Sequence, residues 1–363
     1  MRLDPTPFFS VTPYCDESVG GYMLRISEVN LGWSAQHLLQ AVFGSKSRFT
    51  FEKAGALADF CRSDPASVCE LSGYWRLRDG IDESMIGEWW IPRRPHVVRS
   101  CSALCPVCLD ETPYSKAIWD VALVSCCPCH RTMLVDRCPQ CGLLVSIRRN
   151  KVCQCRCGHD YRSIKPVLVS CDAVEIARDI QNDIWRNAGS DLLSEIDVVN
   201  KISAQTNLLS TLQYFWFFGA TFPTLVAGIP TRGQSTMSKI RAISVCDEAV
   251  KIMRDWPGSF FYRLDRLHRT RSRRDAEMVD RVLRAVWAQI VALTSRGDVI
   301  DMRGAFVAYV RSYVAKKARN NSLKICLNQK GVAIWLIDFI NYVIKLSHYG
   351  AEAQRPMSIR PRD

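Results

Sequence analysis

The chain has 363 residues, with 48 Lys and Arg against 36 Asp and Glu and a net charge of +12. Its hydrophobic share of 48% and charged share of 23% are ordinary for a globular protein, so it can bury a real core, and its length suggests two or three domains. The positive balance favours an anionic partner: nucleic acid, a phosphate-rich surface or an acidic protein.

The 17 cysteines are the anomaly, because eleven of them fall between Cys101 and Cys157. The opening MRLDPTPFFSVTPYC has no apolar run after a basic start, so no export signal is expected and a cytoplasmic location follows. There, clustered cysteines read as metal ligands rather than disulfides. The scattered six (Cys15, Cys61, Cys69, Cys171, Cys246 and Cys326) read as small buried hydrophobes.

In chain order, the first fourteen residues read as extended. Helix follows between Asp16 and Phe43, capped by Asp16 or Ser18 and broken near Gly32. From Phe51 to Tyr74, Ala54, Leu57, Ala58 and Phe60 fit one helix. Ser63-Asp64-Pro65 supplies a cap, and Val68, Leu71 and Tyr74 continue a second helix. The pair resembles a helix-turn-helix, as compatible with packing as with nucleic-acid contact. The run Trp89-Trp90-Ile91-Pro92-Arg93-Arg94-Pro95 reads as a linker into the cysteine module.

That module contains two Cys-x-x-Cys turns, Cys105-Pro-Val-Cys108 and Cys138-Pro-Gln-Cys141. Zinc prefers four tetrahedral ligands drawn from Cys and His, so each turn needs a second pair. One site closes as Cys105, Cys108, Cys127 and His130, the other as Cys138, Cys141, Cys155 and Cys157. Cys126 and Cys129 compete with Cys127, Cys153 competes with Cys155, and Cys101 is left over. Two structural Zn2+ ions are the expected cofactors. Catalytic zinc keeps an open position beside an acid or base. His96 is followed by Val97 and Val98 rather than the Glu of a zinc deaminase, and Asp110-Glu111 reads as a solvated pair. No thioredoxin-like pattern surrounds the Cys-x-x-Cys pairs, which argues against redox use. The chain is thus expected not to be an enzyme.

After Cys157 the pattern is helical: Ala173 to Trp185, Val198 to Gly219, Ser238 to Asp255, Glu277 to Leu293, Gly304 to Lys317 and Val332 to Leu346. The apolar stretch from Leu208 to Ile229 is interrupted by Gln213, Gly219 and Pro223. It reads as a buried helix ending near Gly219, not as a membrane span. Phe260 to Arg284 carries eight arginines. Arg263, Arg266, Arg269, Arg271, Arg273 and Arg274 are candidates for contact with nucleic acid or a partner, and Arg281 and Arg284 complete the set. The fold expected is mainly α: an N-terminal helix-turn-helix region over 1–98, a tandem zinc-finger module over 99–165, a C-terminal helical domain over 166–350 and a disordered tail over 351–363.

The order of motifs in CPVCLDETPYSKAIWDVALVSCCPCHRTMLVDRCPQCG, residues 105 to 142, resembles the core pattern of the TniQ/TnsD transposition proteins. The opening PYCDESVGGYMLRISEVNLGWSAQHLL, from Pro13, and the stretch Asp255-Trp256-Pro257 with Phe260-Phe261 are similar as well. The resemblance implies selection of the insertion site for a transposon. It also implies recruitment of an AAA+ transposition ATPase, either on target DNA or on a CRISPR effector (Cascade) with its guide RNA, a homodimer, and structural zinc. Read so, the chain is an adaptor. The alternative is a stand-alone zinc-dependent, sequence-specific DNA-binding regulator.

Overall fold

The computed structural model describes residues 9–30, 34–44, 49–92, 102–149, 151–185, 208–227, 237–266, 273–294 and 301–319. The described residues are mainly helical, with one small sheet. They divide into two compact units, one running to Thr224 and resuming at Pro230–Trp256, the other containing Leu225–Ile229 and everything from Pro257 onward.

The first unit begins with four helices around one core. Helix α1 (Val19–Val29) starts at Ser18, whose hydroxyl accepts the Gly21 N–H at 3.1 Å. Helix α2 (Ala35–Phe43) is capped in the same way by Ser34 and closed by Gly44 in the left-handed region. Helix α3 (Ala54–Cys61) turns through Arg62 into α4 (Pro65–Cys69), where Asp64 caps and Pro65 takes the first helical position. Tyr22, Met23 and Ile26 of α1 pack with Leu38, Leu39 and Phe43 of α2, Leu57 of α3 and Val68 of α4. Each fully buried side chain of this size is worth about 1.5–3 kcal/mol.

Two expectations need correction here. The second helix does not run on to Tyr74. It stops at Cys69, and Leu71 and Tyr74 reach the same core from an irregular stretch leading into a strand. Nor is Trp89-Trp90-Ile91-Pro92 a linker. It is β3 (Trp89–Pro92), the last strand of an antiparallel sheet with β1 (Trp75–Arg78) and β2 (Ile81–Ile86). Its indole Trp89 Nε1 donates to the Asp183 carbonyl at 3.0 Å, which anchors the strand on the helical layer behind it.

That layer consists of α6 (Cys171–Ile184), α7 (Leu208–Trp216) and α9 (Lys239–Arg254), the short helix α5 (Pro106–Glu111) belonging to the cysteine module. The helix read as ending near Gly219 continues instead. One π-turn (Phe217–Thr221) carries it into α8 (Phe222–Val226). A wider turn relaxes the backbone pairing that Pro223 interrupts. Among the described residues no helix is long and apolar enough to cross a membrane.

In the second unit, α10 (Gly258–Arg266), α11 (Arg273–Thr294) and α12 (Met302–Arg319) pack through aromatic contacts. Trp287 stacks on Phe306 at 5.4 Å, and the Tyr309 hydroxyl donates to Asp265 at 3.1 Å. The helix expected over Val332 to Leu346, the tail over 351–363, and the start of the segment from Val198 lie outside the described residues.

Gly219 sits where the π-turn crosses α9. A Cβ there would collide with the Val245 carbonyl oxygen and lie 2.8 Å from Val245 Cγ1. Gly219→Ala is therefore expected to lower stability by about 1–3 kcal/mol. Gly55, on the exposed face of α3, has nothing within 4 Å of the same added atom, and Gly55→Ala is expected to raise stability by up to about 1 kcal/mol. Thermal or denaturant unfolding of the two variants checks both signs.

Candidate metal centre

Two knuckles and two return turns build the centre. Cys105 stands immediately before α5, Pro106 takes the first helical position, and Cys108 follows one turn later. The return turn runs from Cys127 to Arg131. Cys127 N–H donates to the Thr132 carbonyl at 2.8 Å and Arg131 N–H to the Cys127 carbonyl at 2.9 Å, with Arg131 in the left-handed region (φ 57°).

The result is a compact donor set. Cys108 Sγ lies 3.5 Å from Cys127 Sγ. His130 Nδ1 lies 3.2 Å from Cys108 Sγ and 3.6 Å from both Cys105 Sγ and Cys127 Sγ. A tetrahedral zinc with Zn–S near 2.3 Å has ligand-to-ligand edges of about 3.8 Å, so these separations suit a zinc-sized ion. The other ring nitrogen, His130 Nε2, pairs with Glu111 Oε1 at 2.9 Å. A carboxylate behind a ligand histidine fixes the tautomer and orients the ring.

The second centre is two related turns facing each other, the second shorter than the first by one residue. Cys138 N–H donates to the Leu143 carbonyl and Gly142 N–H to the Cys138 carbonyl, each at 2.9 Å. Cys155 N–H to the His159 carbonyl and Gly158 N–H to the Cys155 carbonyl repeat the pattern at the same distance. Gly142 (φ 71°) and Gly158 (φ 90°) each follow the last cysteine of their turn and adopt a conformation that other residues resist. Across the gap, Cys138 Sγ and Cys157 Sγ are 3.6 Å apart, as are Cys141 Sγ and Cys155 Sγ.

In each centre the four donor atoms lie within 4.8 Å of one another. Cys105, Cys108, Cys127 and His130 converge, as do Cys138, Cys141, Cys155 and Cys157, which are the two sets expected from spacing. The competitors go elsewhere. Cys126 Sγ donates to the Ala173 carbonyl at 3.3 Å, and burial pushes its thiol up to about 11. Cys153 Sγ is buried and points to the Leu109 carbonyl at 4.0 Å. Cys129 is exposed beside Cys127, and Cys101 lies outside the described residues.

Hydrogen bonds among the three thiols divide the charge unevenly: Cys108 and Cys127 lower the Cys105 thiol, while Cys105 in turn raises those of Cys108 and Cys127. At His130, burial opposes the charged ring, but the Glu111 carboxylate and the Cys105 sulphur outweigh it and raise the pKa. A metal must displace that proton, so uptake weakens as pH falls. Three thiolates with one imidazole, and four thiolates, are both donor sets of closed zinc sites.

The segment between the first two ligand pairs docks the centre on its surroundings. Ala117 N–H donates to the Asp16 carbonyl at 2.8 Å. The Tyr114 hydroxyl donates to Asp16 Oδ1 at 2.8 Å, and its ring stacks on Tyr14 at 4.2 Å. Arg25, held by both oxygens of buried Glu17, covers the other side of Tyr14. On the far side, the buried Lys239 ammonium donates to the carbonyls of Trp119 (3.0 Å), Val121 (3.1 Å) and Val124.

Sequence reasoning missed Lys239, which looked like any helix-start cation. Glu111 is exposed, as expected of a solvated pair, but its pairing with His130 was not foreseen. The spacing of Glu111 three residues past Cys108 was its one available signal.

The arginine candidates are not gathered in this way. Arg263 is half-buried and Arg266 exposed on α10, while Arg273 and Arg274 begin α11. Arg269 and Arg271 lie outside the described residues.

The first unit is thus a helical scaffold around two sets of four Cys or His donors. Residues 8–134 match the model of the TniQ family, so the chain carries a TniQ domain that ends just past His130. This ties it to target selection in DNA transposition. No curated protein matches the chain.

Cys105→Ser and Cys138→Ser are each expected to remove about one zinc per chain and to lower the unfolding temperature, because structural zinc binding is coupled to folding. Cys153→Ser is expected to keep both metals. Glu111→Ala should stay folded but hold the first metal about 10–100-fold more weakly. Metal content by mass spectrometry and competition with a chelator read out all four.

Proposed function

We propose that the chain is a target-selection adaptor in DNA transposition, joining a target-recognition complex to an AAA+ transposition ATPase and its transposase. The observation that carries this reading is the TniQ domain over residues 8–134 with the complete first knuckle inside it. The target complex is either DNA itself or a CRISPR effector with its guide RNA, and the chain works as a homodimer.

A non-enzymatic role fits the donor sets. Four protein ligands at each centre leave no position for a substrate or an activated water, and such closed sets hold structure. When zinc is bound, Cys105, Cys108, Cys127 and His130 would hold one ion and Cys138, Cys141, Cys155 and Cys157 the other. The ions cross-link loops that have little regular backbone pairing of their own. The net charge of +12 and the arginines from Arg263 to Arg284 support an anionic surface as one of the two partners. The turn between α3 and α4 is the place where a helix-turn-helix contact with duplex would form.

Co-expression with an AAA+ transposition ATPase, and separately with a CRISPR effector complex, tests the reading by pull-down of the zinc-loaded chain. Capture of the ATPase is expected. Tight, sequence-specific duplex binding by the chain alone, with no ATPase captured, would instead make it a stand-alone regulator. Charge reversal at Arg263 and Arg266 is expected to weaken binding to the nucleic-acid-bearing partner and to flatten its salt dependence. Titration at several salt concentrations measures this.

A further inference from the structure

Beside the second metal centre lies an open groove of about 500 Å³, lined by Arg137, Arg148, Arg149, Arg156, Leu143 and Leu144, with Gly142, Ser146, Cys155 and Tyr161 completing its wall. Its size is that of a ligand cleft, about 300–1,000 Å³. No carboxylate lines it.

The four arginines divide into two kinds. Arg149 is buried, and its guanidinium is consumed by the Ser146 and Val152 carbonyls (2.8 and 3.1 Å) and the Ser115 hydroxyl (3.2 Å). It is part of the frame. Arg137 is exposed and bonded only to the Gly142 carbonyl at 3.2 Å. Arg148 and Arg156 are exposed, and their guanidinium groups make no hydrogen bond or ion pair among the described residues. A zinc held by four thiolates carries two net negative charges, which four guanidinium groups more than balance. The groove remains positive with its metal in place.

Its apolar part is equally unpartnered. Leu143 is 51% exposed and Leu144 37% exposed, successive residues of the segment that returns from the knuckle, where Leu144 makes an isolated antiparallel bridge with Arg137. Exposed leucines beside arginines combine an apolar floor with charged donors, which suits a protein segment carrying both apolar and acidic side chains rather than a nucleic-acid backbone. Single strands need exposed rings on which bases stack, and the groove's aromatic residue, Tyr161, is 1% exposed. Duplex phosphates gain nothing from desolvating leucines. Arginine's planar fork, by contrast, matches a carboxylate with two parallel hydrogen bonds.

We infer that this groove is a docking site for an acidic segment of a protein partner, with apolar side chains seated on Leu143 and Leu144 and carboxylates held by Arg137, Arg148 and Arg156. The site is argued from its own chemistry and goes beyond the transposition reading, which can fail without it.

The test uses the full zinc-loaded chain and fluorescence anisotropy with a short labelled peptide of alternating Glu and Leu. Peptides of alternating Glu and Ser, and of Lys and Leu, are the controls, with a labelled short DNA duplex as a third probe. The Glu–Leu peptide is expected to bind best. Arg148→Glu with Arg156→Glu should weaken it by about tenfold or more, and Leu143→Ser with Leu144→Ser should bring it down to the Glu–Ser level. Both variants should retain their two metals. Arg241→Glu with Lys251→Glu, exposed on α9, should change little. Equal losses in the α9 and groove variants would reduce the effect to net charge and overturn the proposal, as would no peptide binding. Duplex binding that depends on Arg148 and Arg156 without peptide binding would replace the peptide with nucleic acid.

Discussion

The first unit is organised around two clusters of Cys and His donors, each fit to hold a metal, where regular backbone pairing is sparse. From Ser102 to Val169 the chain has one short helix, two brief 3-10 turns and isolated bridges. Its backbone hydrogen bonds are those of turns and single bridges. With a metal in each, the two donor sets would pin the segment at eight points. Once Cys105, Cys108, Cys127 and His130 are drawn together, the chain between them is forced into a loop. One side of that loop meets Asp16 and Tyr14, and its other side meets Lys239. The helices on either face are placed by the loop as much as by each other.

Close packing then depends on small residues where backbones cross. At Gly21 a Cβ would lie 2.7 Å from that of Ser115, and at Gly20 it would lie 2.8 Å from Ile147, so α1 can lie against both knuckles only without side chains there. The Val152 N–H reaches Glu28 on the same helix at 2.9 Å. This explains why the Gly-Gly pair belongs with the cysteine motif in the resemblance to the family, although the two are about ninety residues apart.

The metal ligands were legible because their chemistry is local. Spacing within a turn decides whether two donors can share an ion, and Cys-x-x-Cys announces that directly. The choice between Cys153 and Cys155 was open on spacing alone. Both turns end on a glycine at positive φ, Gly142 and Gly158, but it is the structure that decides: Cys155 faces Cys141 at 3.6 Å while Cys153 turns to the Leu109 carbonyl. The helix starts at Asp64 and Ser238 were readable for the same local reason, whereas Ser18 was left open against Asp16 and the cap at Ser34 was not read. The sheet was not read. Asp79-Gly80, with both residues at positive φ, is a hairpin turn signal, but the charged run Arg76 to Glu83 hides the alternation of its strands. The length of α4 was overestimated because Leu71 and Tyr74 keep a helical spacing while reaching the core from extended chain. Lys239 was invisible because its meaning depends on three carbonyls more than a hundred residues away.

That lysine has a consequence for how the protein can be taken apart. Knuckle modules are often treated as portable beads, cut at their flanking residues and grafted elsewhere. Here the carbonyls of Trp119, Val121 and Val124 face inward and are answered by a side chain from α9. An excised bead would keep its donor sets, but it would expose three acceptors and the buried apolar side chains around them. Swapping this region between relatives therefore means transplanting the cation at position 239 along with the cysteines. The heritable unit is the knuckle together with the helix that closes it.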